Sequence, residues 1–512
     1  MVTNSLGRPL PEHFFGKTVH PYQDPYNRKP VGNHATRPLR RHNPGDKKLL
    51  GNLRKAIEAS GLRSGMCIAT HHHLRNGDAL LNLVVREIDN LGLRDIRIAS
   101  SSVHPVHAEL IPFIKKGVIS GFECGVNGLI GEMVSRGELD CPIIVRTHGG
   151  RARSLITGEV VVDVAFIAAP SCDCYGNMNG FFGPSACGSL GYAFTDAQYA
   201  RCVVAVTDNL SAAPVTPVSI PQSLVDYVVE VNRLGDPRKI VSTTTQITRD
   251  PVGLQIARYA AQVIDASGLL RDGFSFQTGA GGISLAVAEQ VRRMMSQAQI
   301  KGSFGCGGIT GYFVDMLEEG LFRTLFDVQC FDLKAVESIG RNLHHQEMSA
   351  DTYANPFNAG AMVNLLDCVI LGATEIDVDF NVNVNTESNG YLLHNTGGHS
   401  DAAAGAKLSI ITAPLLRGRL PIIRDTVTTV TTPGRTIDVI VTERGIAVNN
   451  HQQELKEELI RRKVPVRDIH ELREEACRIT GEPHPIEFTD EVVALIEYRD
   501  GTIIDAVRKV KE

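Results

Sequence analysis

The sequence predicts an α/β protein made of two homologous parallel-sheet halves in one chain. Two observations predict it. After residue 48, short β-branched runs alternate with helical patterns, as in strands joined by helical crossovers. The same succession occurs twice, in order, at an offset near 207 residues. A length of 512 residues is too long for one ordinary domain and suits two halves.

The first 48 residues stand apart. They are rich in Pro, Asn, His and Arg, as in Arg37-Pro38-Leu39-Arg40-Arg41-His42, and no apolar period runs through them. Residues 1–48 are therefore expected to form an arm, either wrapped on the surface or docking a partner subunit or ligand phosphates. The first half is placed at residues 49–235. Helical patterns cover Lys48 to Ser60 and Ala79 to Asn90. Strand patterns cover Asp95 to Ser100, Val160 to Ala168 and Arg201 to Thr207. The split is placed near Asp236-Pro237, so the second half is residues 236–512. It has helical patterns from Ser284 to Met295 and from Tyr312 to Glu319, and a mixed tail from about Thr426.

Five matches in order carry the repeat. Ala59-Ser60-Gly61-Leu62 returns as Ala266-Ser267-Gly268-Leu269, and Lys115-Lys116-Gly117-Val118-Ile119 as Glu318-Glu319-Gly320-Leu321-Phe322. Val162-Asp163-Val164-Ala165-Phe166 is paired with Ile376-Asp377-Val378-Asp379-Phe380. Phe194-Thr195-Asp196-Ala197 is paired with His399-Ser400-Asp401-Ala402, and Arg201 to Val206 with Lys407 to Ile411.

Composition narrows the function. The chain is 43% hydrophobic and 21% charged, with a net charge of -5, so nucleic acid and membrane are not expected partners. The start is polar, and the longest apolar run, near Val160 to Ala169, is short and broken by Asp163. Eleven cysteines at scattered positions suit reduced thiols in a cytoplasmic protein. Cys172-Asp173-Cys174 lacks a second pair at zinc spacing, so no metal is expected there.

Candidate chemistry clusters at the turns that follow strands, where α/β sheets bind ligands. One turn is His71-His72-His73-Leu74-Arg75-Asn76. On a strand His71 and His73 would share a face and His72 would point away, so the run reads as a cleft wall and not as a metal cage. His71, His73, Arg75 and Asn76 are candidate substrate contacts. Three glycine loops in the second half are read as backbone amides converging on an anion or oxyanion. They hold Gly281 and Gly282, Gly307 and Gly308, and Gly397 and Gly398. A Walker lysine and a dinucleotide fingerprint are both missing, which disfavours ATP and NAD. Glu375, in a strand of alternating carboxylates, and Glu387, in a Glu-Ser-Asn-Gly turn, are candidate catalytic carboxylates. Arg151 and Arg153, read as strand neighbours on one face, are candidate clamps for a polycarboxylate.

Several long segments resemble the citrate lyase alpha chain family of the CoA-transferase superfamily, over nearly the whole length. They are "HHHLRNGD" at 71–78, "GGRARSLITGEVVVDVAFIAAPSCDCYGN" at 149–177, "SFQTGAGGISLAV" at 275–287, "FGCGGITGYFVDMLEEGL" at 304–321 and "NTESNGYLLHNTGGHSDAAAGAKLSII" at 385–411. The resemblance implies a CoA-transferase (NagB/RpiA-like) fold with the site between the halves. It implies exchange of acetyl for citrate on an acyl-carrier thioester, giving citryl-thioester and acetate. It also implies a beta chain that cleaves the citryl-thioester and a gamma carrier chain bearing a phosphoribosyl-dephospho-CoA arm. CoA thioesters can replace that arm, and no cofactor or metal is held on this chain. A homo-oligomer within a hetero-oligomeric complex is implied as well. The Glu387 motif is displaced by one residue from the Ser-Glu-Asn-Gly of relatives that form a glutamyl thioester, while Glu375-Ile376-Asp377 resembles a second subgroup. This branch of the family implies a mixed anhydride formed in a ternary complex. The rival readings are an acetyl-CoA hydrolase or acetate/succinate CoA-transferase, a non-catalytic scaffold, and a histidine metalloenzyme.

Overall fold

A computed structural model describes residues 1–14, 17–26, 48–140, 142–241 and 246–511. In the first half the strands are β1 (Leu49–Leu50), β2 (Cys67–Ala69), β3 (Ile96–Ile98), β4 (Ile119–Phe122), β5 (Ile143–Val145), β6 (Val164–Ala168), β7 (Cys202–Thr207) and β8 (Tyr227–Glu230). Its main helices are α1 (Leu53–Ser60), α2 (Leu80–Asn90), α3 (His148–Ile156) and α4 (Ala193–Tyr199). Seven of these strands form one parallel sheet in the order β1-β8-β7-β6-β2-β3-β4. Every residue of β6 and β7 is buried, as expected where helices cover both faces of a parallel sheet.

The second half carries α5 (Pro251–Ala266), β9 (Ser275–Thr278), α6 (Gly282–Gln297), β10 (Gly302–Ile309), α7 (Gly311–Glu318), β11 (Phe322–Cys330) and β12 (His345–Glu347). It continues through β13 (Cys368–Gly372), β14 (Glu375–Asp377), α8 (His399–Gly405), β15 (Leu408–Thr412), β16 (Val439–Thr442) and β17 (Gly445–Val448). Its sheet order is β12-β11-β10-β9-β13-β15-β16-β17, parallel except for the last pair. Six consecutive strands of each sheet follow one order: β8-β7-β6-β2-β3-β4 matches β16-β15-β13-β9-β10-β11. The α/β duplication is therefore visible in the topology.

The repeated Ala-Ser-Gly is a helix stop. Ser60 Oγ donates to Ile57 O at 2.7 Å and Ser267 Oγ to Ile264 O at 2.6 Å. Gly61 and Gly268 then take left-handed φ values of 74° and 69°, which glycine adopts without a Cβ penalty. One pairing from the sequence is corrected. The counterpart of β6 is β13 and not the strand at Glu375. Asp163 and Asp367, one residue before β6 and β13, do the same work. Asp163 accepts from Cys67 N at 2.9 Å and pairs with Arg201 at 2.9 Å. Asp367 accepts from Ser275 N at 3.0 Å and pairs with Lys407 at 2.7 Å.

The tail is a second correction. The hairpin of β18 (Phe488–Glu497) and β19 (Ile503–Val510) crosses back and pairs with β5 of the first half. The N-terminal segment lies on this hairpin. Tyr22 N donates to Ile503 O at 2.9 Å, Asn4 Nδ2 to the same oxygen at 3.3 Å, and Arg8 pairs with Asp505 at 2.7 Å. The rest of the expected arm, at 27–47, lies outside the described residues.

The third correction concerns Arg151 and Arg153. Both sit on α3, where residues two apart point to different sides. Arg151 forms a bidentate pair with Asp196 at 2.7 and 2.9 Å and also donates to Ser100 O and Ala99 O. Arg153 is fully buried, with Glu159 at 2.5 Å and Glu497 at 2.8 Å. They do not form a clamp; their charges are already spent on α4 and on the C-terminal hairpin. Removing one partner of a buried pair costs about 3–5 kcal/mol. Arg153→Ala is therefore expected to lower the thermal midpoint by several degrees. Arg151→Lys should not restore a wild-type midpoint, since an ammonium cannot reproduce the bidentate fork. Differential scanning calorimetry checks both, and a variant of wild-type stability with a selectively weakened substrate would reinstate the clamp.

Candidate active site

The carboxyl ends of both sheets meet between the halves. From the first sheet come His71–His73 after β2, Ser100–His104 after β3 and His148 at the start of α3. From the second come Gln277 of β9, Gly307 of β10, Gln329 of β11 and Tyr353. Tyr192, just before α4, sits at the centre. Its ring lies 4.7 Å from His72, 5.4 Å from His73 and 4.5 Å from His148, centroid to centroid. Gln329 Nε2 donates to His72 O at 3.0 Å, tying the second half to the histidine run. Gln277 Nε2 donates to the Tyr353 hydroxyl at 2.9 Å.

The histidines are neutral. Burial, followed by neighbouring charged groups, pushes His71, His72 and His73 well below the ordinary imidazole range. Burial also takes His104 and His148 down to about 3, with Arg75 and Arg151 respectively as the next cause. His72 Nδ1 is bonded to Ser101 Oγ at 2.6 Å. His73 Nε2 accepts from Tyr192 N at 3.4 Å. Among the described residues neither ring nitrogen of buried His71 has a hydrogen-bond partner, with Asp196 3.8 Å away. An unpaired buried polar group is costly, and at a cleft it marks where a ligand atom or water belongs. Among the described residues no three His, Cys, Asp or Glu side chains converge as a metal would require.

Arg75 is the cation of this wall. It is half-buried, with its guanidinium over the Phe331 ring at 5.2 Å and Nη1 3.4 Å from Ile240 O. Among the described residues no carboxylate pairs with it. Its φ of 50° is uncommon outside glycine, and such strain persists where surrounding structure imposes it. His394 faces the same cation; burial, Arg75 and Arg417 lower it in that order. Asn76, the next expected contact, is exposed beside Arg75.

The three glycine loops divide in two. A Cβ on Gly307 would lie 2.9 Å from the Gln277 carboxamide carbon, one on Gly308 would strike the Phe331 ring, and one on Gly398 would strike the Tyr353 hydroxyl. Gly397, at φ 62°, gives its carbonyl to His148 N at 2.9 Å. Gly307, Gly308 and Gly398 are close-approach positions that let Gln277, Phe331 and Tyr353 pack, and Gly397 supplies a left-handed turn against His148, a correction to the reading of converging amides. Gly281 differs. It is the N-cap of α6, is exposed, and a Cβ there meets nothing within 4 Å. Gly282 begins the helix and backs onto 246–248.

The two glutamates lie elsewhere. Glu375 is fully buried and saturated by Arg424 at 2.8 Å, Asn383 Nδ2 at 2.9 Å, Thr428 N at 2.8 Å and Thr428 Oγ1 at 3.1 Å. Its strand ends at Asp377, which caps the following turn by accepting from Asp379 N and Asn381 N. Glu387 is exposed in a turn closed by Gly390 N donating to Glu387 O at 2.9 Å. The sequence reading missed Tyr192, Tyr353, Gln277 and Gln329 as site residues, because uncharged side chains carry no spacing signal.

Comparison with known proteins agrees with this geometry. The family described as citrate lyase, alpha subunit, matches residues 46–510. The citrate lyase alpha chain of Klebsiella pneumoniae is 48% identical over 466 residues, 91% of this chain and 92% of that one. That of Haemophilus influenzae is 46% identical, covering 91% of this chain and 94% of that one. A citrate lyase alpha subunit from Streptococcus mutans, solved in complex with citrate, superposes with a TM-score of 0.95 at 46% identity, covering 99% of this chain and 100% of that chain. A malonate decarboxylase alpha subunit from Acinetobacter baumannii shares the fold alone, with a TM-score of 0.63 at 16% identity, covering 86% of this chain and 94% of that chain. A duplicated α/β sheet, a cleft between its halves and this extent of identity place the chain in the citrate lyase alpha subunit family.

Proposed function

We propose that the chain exchanges acetyl for citrate on an acyl-carrier or CoA thioester, releasing acetate and leaving citryl-thioester. Membership of the citrate lyase alpha subunit family makes the chain a transferase that works with other lyase subunits. The observation that carries the citrate reading within the cleft is Arg75. It is a cation without a carboxylate partner among the described residues, facing neutral imidazoles that can donate as well as accept. Such a wall suits a ligand with several carboxylates. The carrier's phosphoribosyl-dephospho-CoA arm would bring in the thioester, and a beta chain would take the product. The reading places the reaction in the cytoplasm; no described helix is long and apolar enough to cross a membrane.

The mechanism that fits is direct attack. A citrate carboxylate oxygen adds to the acetyl carbonyl, the C–S bond breaks and the thiolate leaves, giving a mixed anhydride. The thiolate then attacks the citryl carbonyl, the C–O bond breaks and acetate departs. Holding both reactants together replaces a covalent enzyme intermediate. Saturated Glu375 and the exposed turn of Glu387 support this reading. Free amides in the first turn of α6, beside Gly281, would face the developing oxyanion.

Three outcomes are expected. Arg75→Ala should weaken citrate about ten- to a hundredfold, the value of one charge-assisted contact, with a much smaller change in the acetyl-CoA requirement; equal losses in steady-state assays would remove Arg75 from the citrate site. Gly281→Val should fold normally, since its Cβ meets nothing, yet lose about a hundred- to a thousandfold in turnover; near-normal turnover would take the loop out of the reaction. Acetyl-CoA alone should leave no CoA on the protein in intact-mass spectra, and the kinetics should be sequential. A CoA adduct mapping to Glu375 or Glu387 and lost in the glutamine variant would establish a glutamyl thioester instead.

A further inference from the structure

We propose that the groove between α5 and α6 seats the pantetheine arm of the thioester substrate, its thioester end at Gly281 and its phosphate end at Arg258 and Arg293. This rests on the thioester reading above and adds where the arm lies. The two helices each begin at the carboxyl edge of the second sheet and run from it side by side. Between them is a cavity of about 780 Å³, with Ile247 and Leu254 on one wall, Ala286 on the other, and Arg258, Glu289 and Arg293 further along.

Three features point to this occupant. The first is continuity with the reaction site. Ile247 forms the inner end, and its neighbours touch Gly282: Thr248 N donates to Gly282 O at 3.1 Å, and a Cβ on Gly282 would lie 2.9 Å from Gln246 O. Gly281, where a Cβ would meet no described atom within 4 Å, is the next residue. The second is an apolar wall left uncovered. Leu254, 38% exposed, lines the groove together with Ile247, Pro251 and Ala286, an apolar stretch on which the stem of a flexible chain can lie. The third is the charge at the outer end. Glu289 is engaged by Arg292 at 3.1 Å and Arg293 at 2.8 Å. Among the described residues Arg258 is bonded only to the neutral Gln255 carboxamide, and no described carboxylate pairs with it. One glutamate therefore faces Arg258 and Arg293, leaving the outer end positive. A pantetheine arm has the matching profile: thioester at one tip, an apolar amide chain, then phosphate. The run along α6 from Gly281 to Arg293 is roughly 18 Å at the helical rise, the scale of such an extended arm.

The test uses the full chain with acetyl-CoA and with S-acetylpantetheine, which lacks the nucleotide phosphates. Leu254→Glu should raise KM for both thioesters at least tenfold and leave the citrate KM unchanged. Arg258→Ala should raise KM for acetyl-CoA several-fold and leave that for S-acetylpantetheine unchanged. Unchanged thioester KM values in both variants overturn the proposal. So does Leu254→Glu altering the sedimentation mass without altering either KM, which would make the groove a contact between copies. Titration calorimetry with CoA on the same proteins tests the groove without turnover. CoA bound by the wild type and weakened in both variants supports it even if no citrate transfer occurs, a result that would overturn the exchange reading alone.

Discussion

The arrangement of the cleft depends on one helix held by both halves. α3 begins between them, and repeat-related aspartates grip it from either side. Asp196, on α4, holds the Arg151 guanidinium in a bidentate pair. Asp401, its counterpart on α8, accepts from Thr147 Oγ1 at 3.0 Å and from Gly149 N at 2.9 Å. Thr147 in turn accepts from Gly150 N at 2.8 Å. The second half therefore caps a helix of the first, satisfying amides that a helix start leaves unpaired. Gly149 is needed for this approach, since a Cβ there would collide with Ala354 O. His148, the first residue of α3, is set into the cleft by the same contacts. Any rotation between the halves must break the cap, so the contact of Asp401 with Thr147 and Gly149 reports the closure of the molecule.

That grip has an electrostatic consequence. Burial raises Asp401 to about 6, against Arg499 and the two α3 donors, which lower it. A carboxylate raised on folding binds its proton more tightly in the native state. Its contribution therefore favours the fold at low pH and is lost as pH rises from the unfolded value toward about 6. At neutral pH Asp401 is held as a buried anion at a cost that its three partners offset. The histidines show the opposite arrangement: they are kept neutral by burial, so the cleft gains hydrogen-bonding capacity without added charge. Arg75 then stands as a cation in a neutral wall. In the proposed reading such a cation would discriminate by the number of carboxylate oxygens that reach it, since the neutral wall offers no competing counter-charge.

The repeat was legible because it is written in local chemistry. A Ser-Gly helix stop, a Lys-Lys-Gly or Glu-Glu-Gly turn and a buried β-branched strand each need a few adjacent residues. The mispairing of Val162–Phe166 arose because two segments, at Asp367 and Asp377, both place an aspartate before apolar residues, and only the sheet order distinguishes them. The Arg151–Arg153 reading failed for a related reason. Gly149-Gly150 lowers helix propensity, and of the two caps that restore the helix only Thr147 is local; the other comes from Asp401, about 250 residues away. Tyr192 and Gln329 acquire meaning only from the approach of the two halves. The turn after β2 was legible as a place, since the end of a parallel strand is a local feature with a known relation to ligands, but the alternation drawn through it was not: β2 ends at Ala69, and His72, expected to point away, stacks on Tyr192 beside His73.

The position of Glu375 bears on why a chain of this fold would dispense with a covalent carboxylate. A nucleophile needs a lone pair free to advance on the carbonyl. Each oxygen of Glu375 accepts two donors, counting the Arg424 pair, and Arg424 is itself buried. Freeing it would leave Arg424 without its counter-charge, at the several kcal/mol that an unpaired buried ion costs. A substrate that carries its own carboxylates removes the need. In the proposed exchange citrate would offer one oxygen as nucleophile while the others stayed on Arg75 and the imidazoles, so the binding groups would hold the attacking group without being consumed by it. The demand then shifts from nucleophilicity to geometry, to keeping a charged acid and a thioester in contact while water is kept out. A cleft fixed by a helix that both halves must cap is suited to that demand, and a mobile glutamate is not.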